Sequence, residues 1–452
     1  MERPCMRSVV LAPYASPKKT GGPEEATPKN FLLEDPEGFA PPLVVPVPLA
    51  ILISLMDGQR TQEEICRDFA ETTGETLERG DLQQIVEHFN SLRYLESPEF
   101  ATFLKGEMET FQAAEHRPAM MAGGGYPEKR ADLEACLEKI LGLPKKVLEM
   151  EGETLEEQFP AEVEGMVVPH IDYERGGVAY GWSSLAVRDH CHADTFLILG
   201  TCHNPMREKL ALTAKSFETP LGLLETDKPF IQELNRRFQE KYARKAGKKE
   251  SVDLFADEFV HRDEHSLEFQ AIFLKYLENQ TGRKFRMIPV LMNSFVPFLA
   301  NQEVEEPCEN EVIGTFLAVL SEMLAEEKNR EGGRKVAILA SADFSHVGPM
   351  FGTPQPVDFA QQDVIRKDDT LLLHFLINRD AKGFWKEIVR TSDANQVCGI
   401  APIYTLLKLL DDSTGGNLLS YEQSIDEETQ SCVSFATIVY GKNFNNKIID
   451  NG

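Results

Sequence analysis

The chain has 452 residues, 42% of them hydrophobic and 27% charged, with a formal charge of −26. That length predicts two or three domains around a large buried core. The excess of carboxylates repels phosphate and disfavours an extended nucleic-acid interface, and no run reaches the ~18 apolar residues of a membrane span.

The eight cysteines (Cys5, Cys66, Cys136, Cys191, Cys202, Cys308, Cys398 and Cys432) form no CxxC pair. Their scatter fits neither a disulfide framework nor a four-thiolate zinc site. Free thiols suit a reducing compartment. The apolar stretch Pro41–Met56 is broken by four prolines and lacks the basic region and cleavage site of a secretory signal. A cytoplasmic location is expected.

Residues 1–30 show no periodicity and are expected to form a loose tail. Residues 31–105 read as a small helical module. Pro48 to Met56 is one helix, stopped at Asp57-Gly58. Thr61-Gln62-Glu63-Glu64 has the form of a capping box for a second. Asp81 is placed to cap a third, with Leu82, Ile85, Val86, Phe89 and Leu92 at helical spacing. Tyr94-Leu95-Glu96 reads as a short strand. Three helices and a strand resemble a winged-helix module, in particular the peptide-binding modules of modification systems. A helical cap with no partner of its own is the alternative.

Residues 106–160 are expected to connect, with a break at Gly123-Gly124-Gly125, one helix over Leu133–Leu141 and acidic residues from Glu149 to Glu164. Residues 161–445 then alternate strand and helix. Strands are predicted over 163–168, 194–199, 285–292, 335–340 and 432–440. Helices are predicted over 176–188, 227–245, 264–278, 311–328, 358–377, 380–390 and 400–411. The alternation predicts one α/β domain with a mostly parallel sheet. The basic cluster of Arg236, Arg237, Lys241, Arg244, Lys245, Lys248 and Lys249 lies on one of these helices and its exit. It reads as a solvated face.

Three apolar runs end in a small turn and a histidine: Val167-Val168-Pro169-His170, Phe196 to His203, and Val336 to His346. Ligands in open α/β sheets sit beyond the carboxyl ends of the strands, so His170, His203 and His346 are candidates for one site. Asp172 and Arg175 are placed to line the same opening as His170. Cys202 is a weaker candidate than His203. His261 and His265 have HxxxH spacing, but Arg262 stands where the metalloprotease pattern needs Glu. His265 is kept and His261 discounted, with Asp263 or Ser266 expected to cap the helix that follows. Asp343, three positions before His346, is expected to orient it as a general acid/base. Cys398, before Gly399 and a helix, meets the positive end of a helix dipole, which favours thiolate.

As a set, these segments resemble the Memo family, and most closely its prokaryotic branch, AmmeMemoRadiSam system protein B. The resemblance rests on Pro169-His170-Ile171-Asp172-Tyr173, Leu199-Gly200-Thr201-Cys202-His203, Thr219-Pro220-Leu221-Gly222, Glu264-His265-Ser266-Leu267-Glu268, Ser341-Ala342-Asp343-Phe344-Ser345-His346 and Cys398-Gly399, in that order. It implies a three-layer α/β/α sandwich like that of class III extradiol dioxygenases, in a fold with a mostly parallel central sheet. It implies metal ligands at His170, His203 and Cys398, an acid/base histidine at His346 beside Asp343, and a pocket-lining histidine at His265. Where the dioxygenases complete their iron site with a carboxylate, this chain has Cys398. A His₂-Cys set is softer and favours iron or copper in other redox roles, with zinc a poorer fit. Ring cleavage therefore does not transfer directly. The implied partners are an AMMECR-type protein and a radical SAM enzyme, with a small molecule or peptide as ligand. Two readings follow: a metal-dependent redox enzyme, or a non-catalytic binding component recruited through residues 31–105.

Overall fold

The computed structural model describes residues 2–14, 30–151, 154, 158–246, 252–301 and 304–442. Most of the expected N-terminal tail, Lys248 and Lys249 lie outside them. The chain forms two units, residues 1–114 and 115–452.

The first unit opens with strands β1 (Val10–Tyr14), β2 (Asn30–Glu34) and β3 (Leu43–Pro46), paired antiparallel in that order. Helices α1 (Val47–Leu55), α2 (Gln62–Thr73), α3 (Arg79–Ser91) and α4 (Pro98–Ala113) follow. The capping box at Thr61 is present: Glu64 N donates to Thr61 Oγ1, and Thr61 N to Glu64 Oε2 at 2.8 Å. Asp81 is not a cap. Glu78 holds the N-cap position of α3, and Asp81 lies in its first turn. The strand expected at Tyr94-Leu95-Glu96 is a single bridge between Met6 and Leu95. Leu33, Val45, Leu52, Ile53, Ile65, Phe69, Leu82, Val86 and Phe89 form this unit's own core.

The second unit holds a nine-stranded sheet. In chain order its elements begin with β4 (His116–Arg117), α5 (Arg130–Leu141), α6 (Leu143–Glu151), β5 (Val163–Val168), α7 (Gly177–His190) and β6 (Thr195–Thr201). They continue with β7 (Leu210–Leu212), β8 (Ser216–Phe217), β9 (Glu225–Thr226), α8 (Lys228–Ala246), α9 (His265–Thr281), β10 (Arg286–Met292), α10 (Val296–Asn301) and α11 (Glu311–Asn329). The last are β11 (Val336–Ser341), β12 (His346–Val347), α12 (Phe359–Ile377), α13 (Ala381–Thr391), α14 (Ile400–Leu409), β13 (Thr414–Asp426) and β14 (Ser431–Lys442).

The central strands β5, β11, β6 and β10 are parallel neighbours. β14 adds antiparallel to β5, with β13 beyond it, and β7 adds antiparallel to β10. Side chains alternate across the sheet. Leu197 and Leu199 enter one core with Phe230, Phe316, Trp385 and Tyr404. Phe196 and Ile198 enter the other with Tyr180, Leu185, Ile272 and Phe273. Helices thus cover both faces, which is why the central strands read as continuous apolar runs.

The expected connector over 106–160 divides. Its first residues complete α4, and α5 buries Leu133, Leu137 and Ile140 against the α7 side of the sheet. The basic cluster on α8 is paired: Arg236 with Glu233 and Glu240, Arg237 with Glu233 and Glu326, and Lys241 with Glu322. All eight cysteines are free thiols. No helix among the described residues is long and apolar enough to cross a membrane.

Candidate metal centre

The chain leaves β5, β6 and β11 at one level of the sheet, because Ser341 pairs with Val168 on one side and Gly200 on the other. That places His170, His203 and Asp343 beyond adjacent strand ends. Cys398 arrives from the other direction, two residues before α14. Its approach depends on Gly399: a Cβ there would stand 2.6 Å from both Ala342 Cβ and Asp343 O. Gly200 plays the same part under α9, where a Cβ would meet Ser266 Oγ at 2.6 Å.

His170 is buried and held from two sides. Its backbone N donates to Asp343 Oδ1 at 3.0 Å, and its Nδ1 lies 3.0 Å from Ser341 O. A carbonyl oxygen only accepts, so Nδ1 carries the proton and Nε2 is left as a lone pair. That Nε2 stands 3.3 Å from Cys398 Sγ. His203 Nδ1 lies 3.0 Å from Glu264 Oε1, which again frees Nε2. The three donor atoms of His170, His203 and Cys398 lie within 4.8 Å of one another. Two imidazole nitrogens turned outward by hydrogen bonds at Nδ1, with one thiol, suit a transition-metal ion.

His265 joins the group as the first residue of α9. Its ring stacks on His203 at 4.5 Å and lies edge-on to His170 at 5.3 Å. His203, Glu264 and His265 make a second close donor set. Glu264 is buried and is the N-cap of α9, accepting from Ser266 N. Asp263 and Ser266, the expected caps, do not fill that position. Glu264 was not singled out by sequence as a site residue, although it opens the segment Glu264-His265-Ser266-Leu267-Glu268.

Electrostatics follow burial. Desolvation, with His203 and His265 nearby, keeps His170 well below its ordinary value. It also pushes His265 and His346 down to about 4 each. For His203 burial is outweighed by Glu264, and the ring is raised. Burial would raise Glu264 too, but the two imidazoles and the His203 amide hold it well below the usual carboxylate range. Asp343 is pushed up to about 7 by burial. Burial and the Asp343 charge lift Cys398 well above a normal thiol, so the helix-dipole effect expected from sequence is overridden.

The Memo-like protein family model matches residues 117–439. The chain belongs to the Memo family. It is 26% identical over 413 residues to a MEMO1 family protein of Aquifex aeolicus, covering 91% of this chain and 96% of that one. A MEMO1 family protein of Methanosarcina barkeri is 27% identical over 329 residues, 72% of this chain and 99% of its own. One from Methanocaldococcus jannaschii is 28% identical over 267 residues, 58% of this chain and 77% of its own.

One expectation for this Memo-family site needs correction. Asp343 does not orient His346. It binds the backbone of His170, with Oδ2 3.7 Å from His170 Nε2. The chain between β11 and β12 is not helical, so residues three apart do not share a face. His346 Nδ1 instead meets Phe344 O at 3.0 Å, and its ring lies against Phe351. The discounted His261 does not share a helix with His265. His261 ends a separate 3-10 turn, buried with Nε2 3.0 Å from Ala211 O. Cys202 is buried with Sγ turned to Asn204 O, consistent with its lower ranking. Asp172 pairs with Arg175 at 2.5 Å.

Proposed function

We propose that this Memo-family chain binds a redox-active iron or copper ion through His170, His203 and Cys398, in a three-layer sandwich of the extradiol-dioxygenase kind. The observation that carries this reading is the convergence of Nε2 of His170 and Sγ of Cys398 at 3.3 Å, with Nδ1 of His170 already committed to Ser341 O. A bound ion supplies an open position for oxygen or an oxidisable ligand. The chain supplies the rest. His265 and His346, pushed to about 4 by burial, stay neutral at pH 7 and accept a proton at Nε2. Asp343 keeps His170 in place through the backbone bond. Cys398 in place of a carboxylate makes ring cleavage the weaker form of this reading.

The test is anaerobic loading with iron(II) or copper(I), then metal analysis of the wild type and the His170→Ala/Cys398→Ser double variant. About one ion per wild-type chain and a large loss in the variant are expected. Undiminished content in the variant removes the reading.

A second reading, a binding component that works with an AMMECR-type protein and a radical SAM enzyme in the cytoplasm, is favoured by one feature of the first unit. A cavity of about 450 Å³ lies between β3 and α3, lined by Leu43, Val44, Leu49, Ile85 and Phe89 with Asp81 among them. β3 ends the three-stranded sheet, so its outer edge is open to an extended peptide. Acidic residues outnumber basic ones across residues 30–114, which favours a basic peptide. Val44→Lys and Ile85→Asp in the full chain should abolish co-purification with such partners. Retained association in both variants rejects recruitment through this groove.

A further inference from the structure

One carboxylate serves two imidazoles at the edge of the site. Glu264 is 1% exposed. Its Oε2 accepts from His203 N at 2.7 Å. Its Oε1 accepts from Ser266 N at 3.0 Å, lies 3.0 Å from His203 Nδ1 and 3.3 Å from His265 Nδ1. Both oxygens are thus fixed by backbone amides before any side chain is considered. A carboxylate held this way is an acceptor, so His203 Nδ1 must present N–H to it, while His265 Nδ1 lies within reach of its charge.

From this geometry we infer that Glu264 is a positioning residue, one carboxylate that sets the Nδ1–H tautomer of His203 by a hydrogen bond, draws His265 Nδ1 by its charge, and so turns both Nε2 atoms toward the same opening. The inference rests on the metal-site reading above. It also decides between the two donor sets. For Glu264 to ligate an ion through Oε1 together with His203 and His265, it would have to surrender its bond to Ser266 N or to His203 Nδ1. As a brace it surrenders none. His203 then ligates with His170 and Cys398, and His265 is left with a free Nε2 directed at whatever occupies the open side.

The chemistry of the brace is specific. A glutamine at 264 keeps the size and one acceptor but puts an NH₂ group where the second oxygen was. That NH₂ faces either the His203 amide, or Ser266 N together with both rings; in each orientation a donor meets a donor and the brace is lost. Outer partners of this kind contribute about 10–100-fold in metal affinity.

The experiment uses full-length chain and Co(II). Long-range ¹⁵N–¹H correlation on the metal-free wild type should show the Nδ1–H form for His203 and His265. Glu264→Gln should displace or convert the His203 ring, read as a changed long-range ¹⁵N–¹H pattern, and weaken Co(II) affinity about 10–100-fold, measured against a competing chelator. The sulfur-to-metal charge-transfer band from Cys398 should persist at saturating Co(II). His265→Gln should keep that band and change Co(II) affinity less than about threefold. Wild type that takes up no Co(II) defeats the metal-site reading. Wild type that binds Co(II) while Glu264→Gln binds it equally well defeats the brace alone. Loss of Co(II) binding in His265→Gln assigns the ion to the His203-Glu264-His265 set and overturns the inference. If Glu264→Gln does not fold, the wild-type tautomers decide: Nε2–H on His203 overturns it.

Discussion

Sγ of Cys398 stands 3.3 Å from Nε2 of His170 across 228 positions of sequence. Two soft-to-borderline donors at that distance are close enough to share an ion. Cys398→Ser keeps the size of the side chain and removes the sulfur. Co(II) affinity should fall at least about tenfold and the thiolate charge-transfer band should vanish, both read from one absorption titration. An unchanged titration places the ion elsewhere.

Gly399 admits the thiol because nothing larger fits. A methyl group there meets Ala342 Cβ and the carbonyl of Asp343, each at 2.6 Å, and one of these is backbone. Gly399→Ala should cost about 1–3 kcal/mol of stability through overpacking. It should also push Cys398 away from His170. Urea midpoints measure the first effect and Co(II) affinity the second. An alanine variant as stable as wild type contradicts the packing described.

The start of the second unit is tied to α9 by a buried ion pair. Arg117 and Glu268 are both fully buried and in contact. Glu268 also accepts from the amides of Met120 and Met121 and from the Tyr126 hydroxyl. Arg117 donates to the carbonyls of His261 and Glu264. Glu268→Ala should destabilise the chain by about 3–5 kcal/mol, because a buried guanidinium loses its counter-charge. Thermal melts would show it, and a shift within error would mean that solvent or another acid compensates.

Glu422 on β13 gives a pH signature away from the metal centre. Burial pushes its carboxyl up to about 7, and its Oε1 has no hydrogen-bond partner. Below the ordinary value of 4.5, folded and unfolded chains both hold the proton. As pH rises from there toward about 7, the unfolded chain releases it and the folded chain does not. This group's contribution therefore declines across that window and is flat above it. Glu422→Gln should remove that part of the slope, so the variant gains on wild type as pH rises. Urea midpoints at several pH values test this; parallel curves refute it.

The four central strands were legible because strands buried on both faces leave unbroken apolar runs, as in Phe196 to Leu199. β13 was not, since Thr414–Asp426 is polar and only half-buried beyond Leu418. β1 to β3 were missed because strands of four or five residues are too short to carry a clear period-two pattern. In the site, strand-end position pointed to His170, His203 and His346, and the first two share a donor set with Cys398. Position was not enough to pair them. Spacing suggested that Asp343 serves His346, whereas side-chain direction gives it to His170. Glu264 was overlooked for the same reason: its neighbours in sequence suggest a helix cap, and only the fold brings His203 to it.

The pairing of Ser341 with both Val168 and Gly200 has a lasting effect on how this family can diverge. The gap between the loops is set by main-chain ladders about 4.8 Å apart, and amino-acid replacement at the loop tips does not alter that pitch. Substitution there can retune the hardness and charge of the nest while its dimensions stay fixed. A one-residue insertion within β5 would do the reverse, conserving every side chain while rotating the first imidazole out of reach.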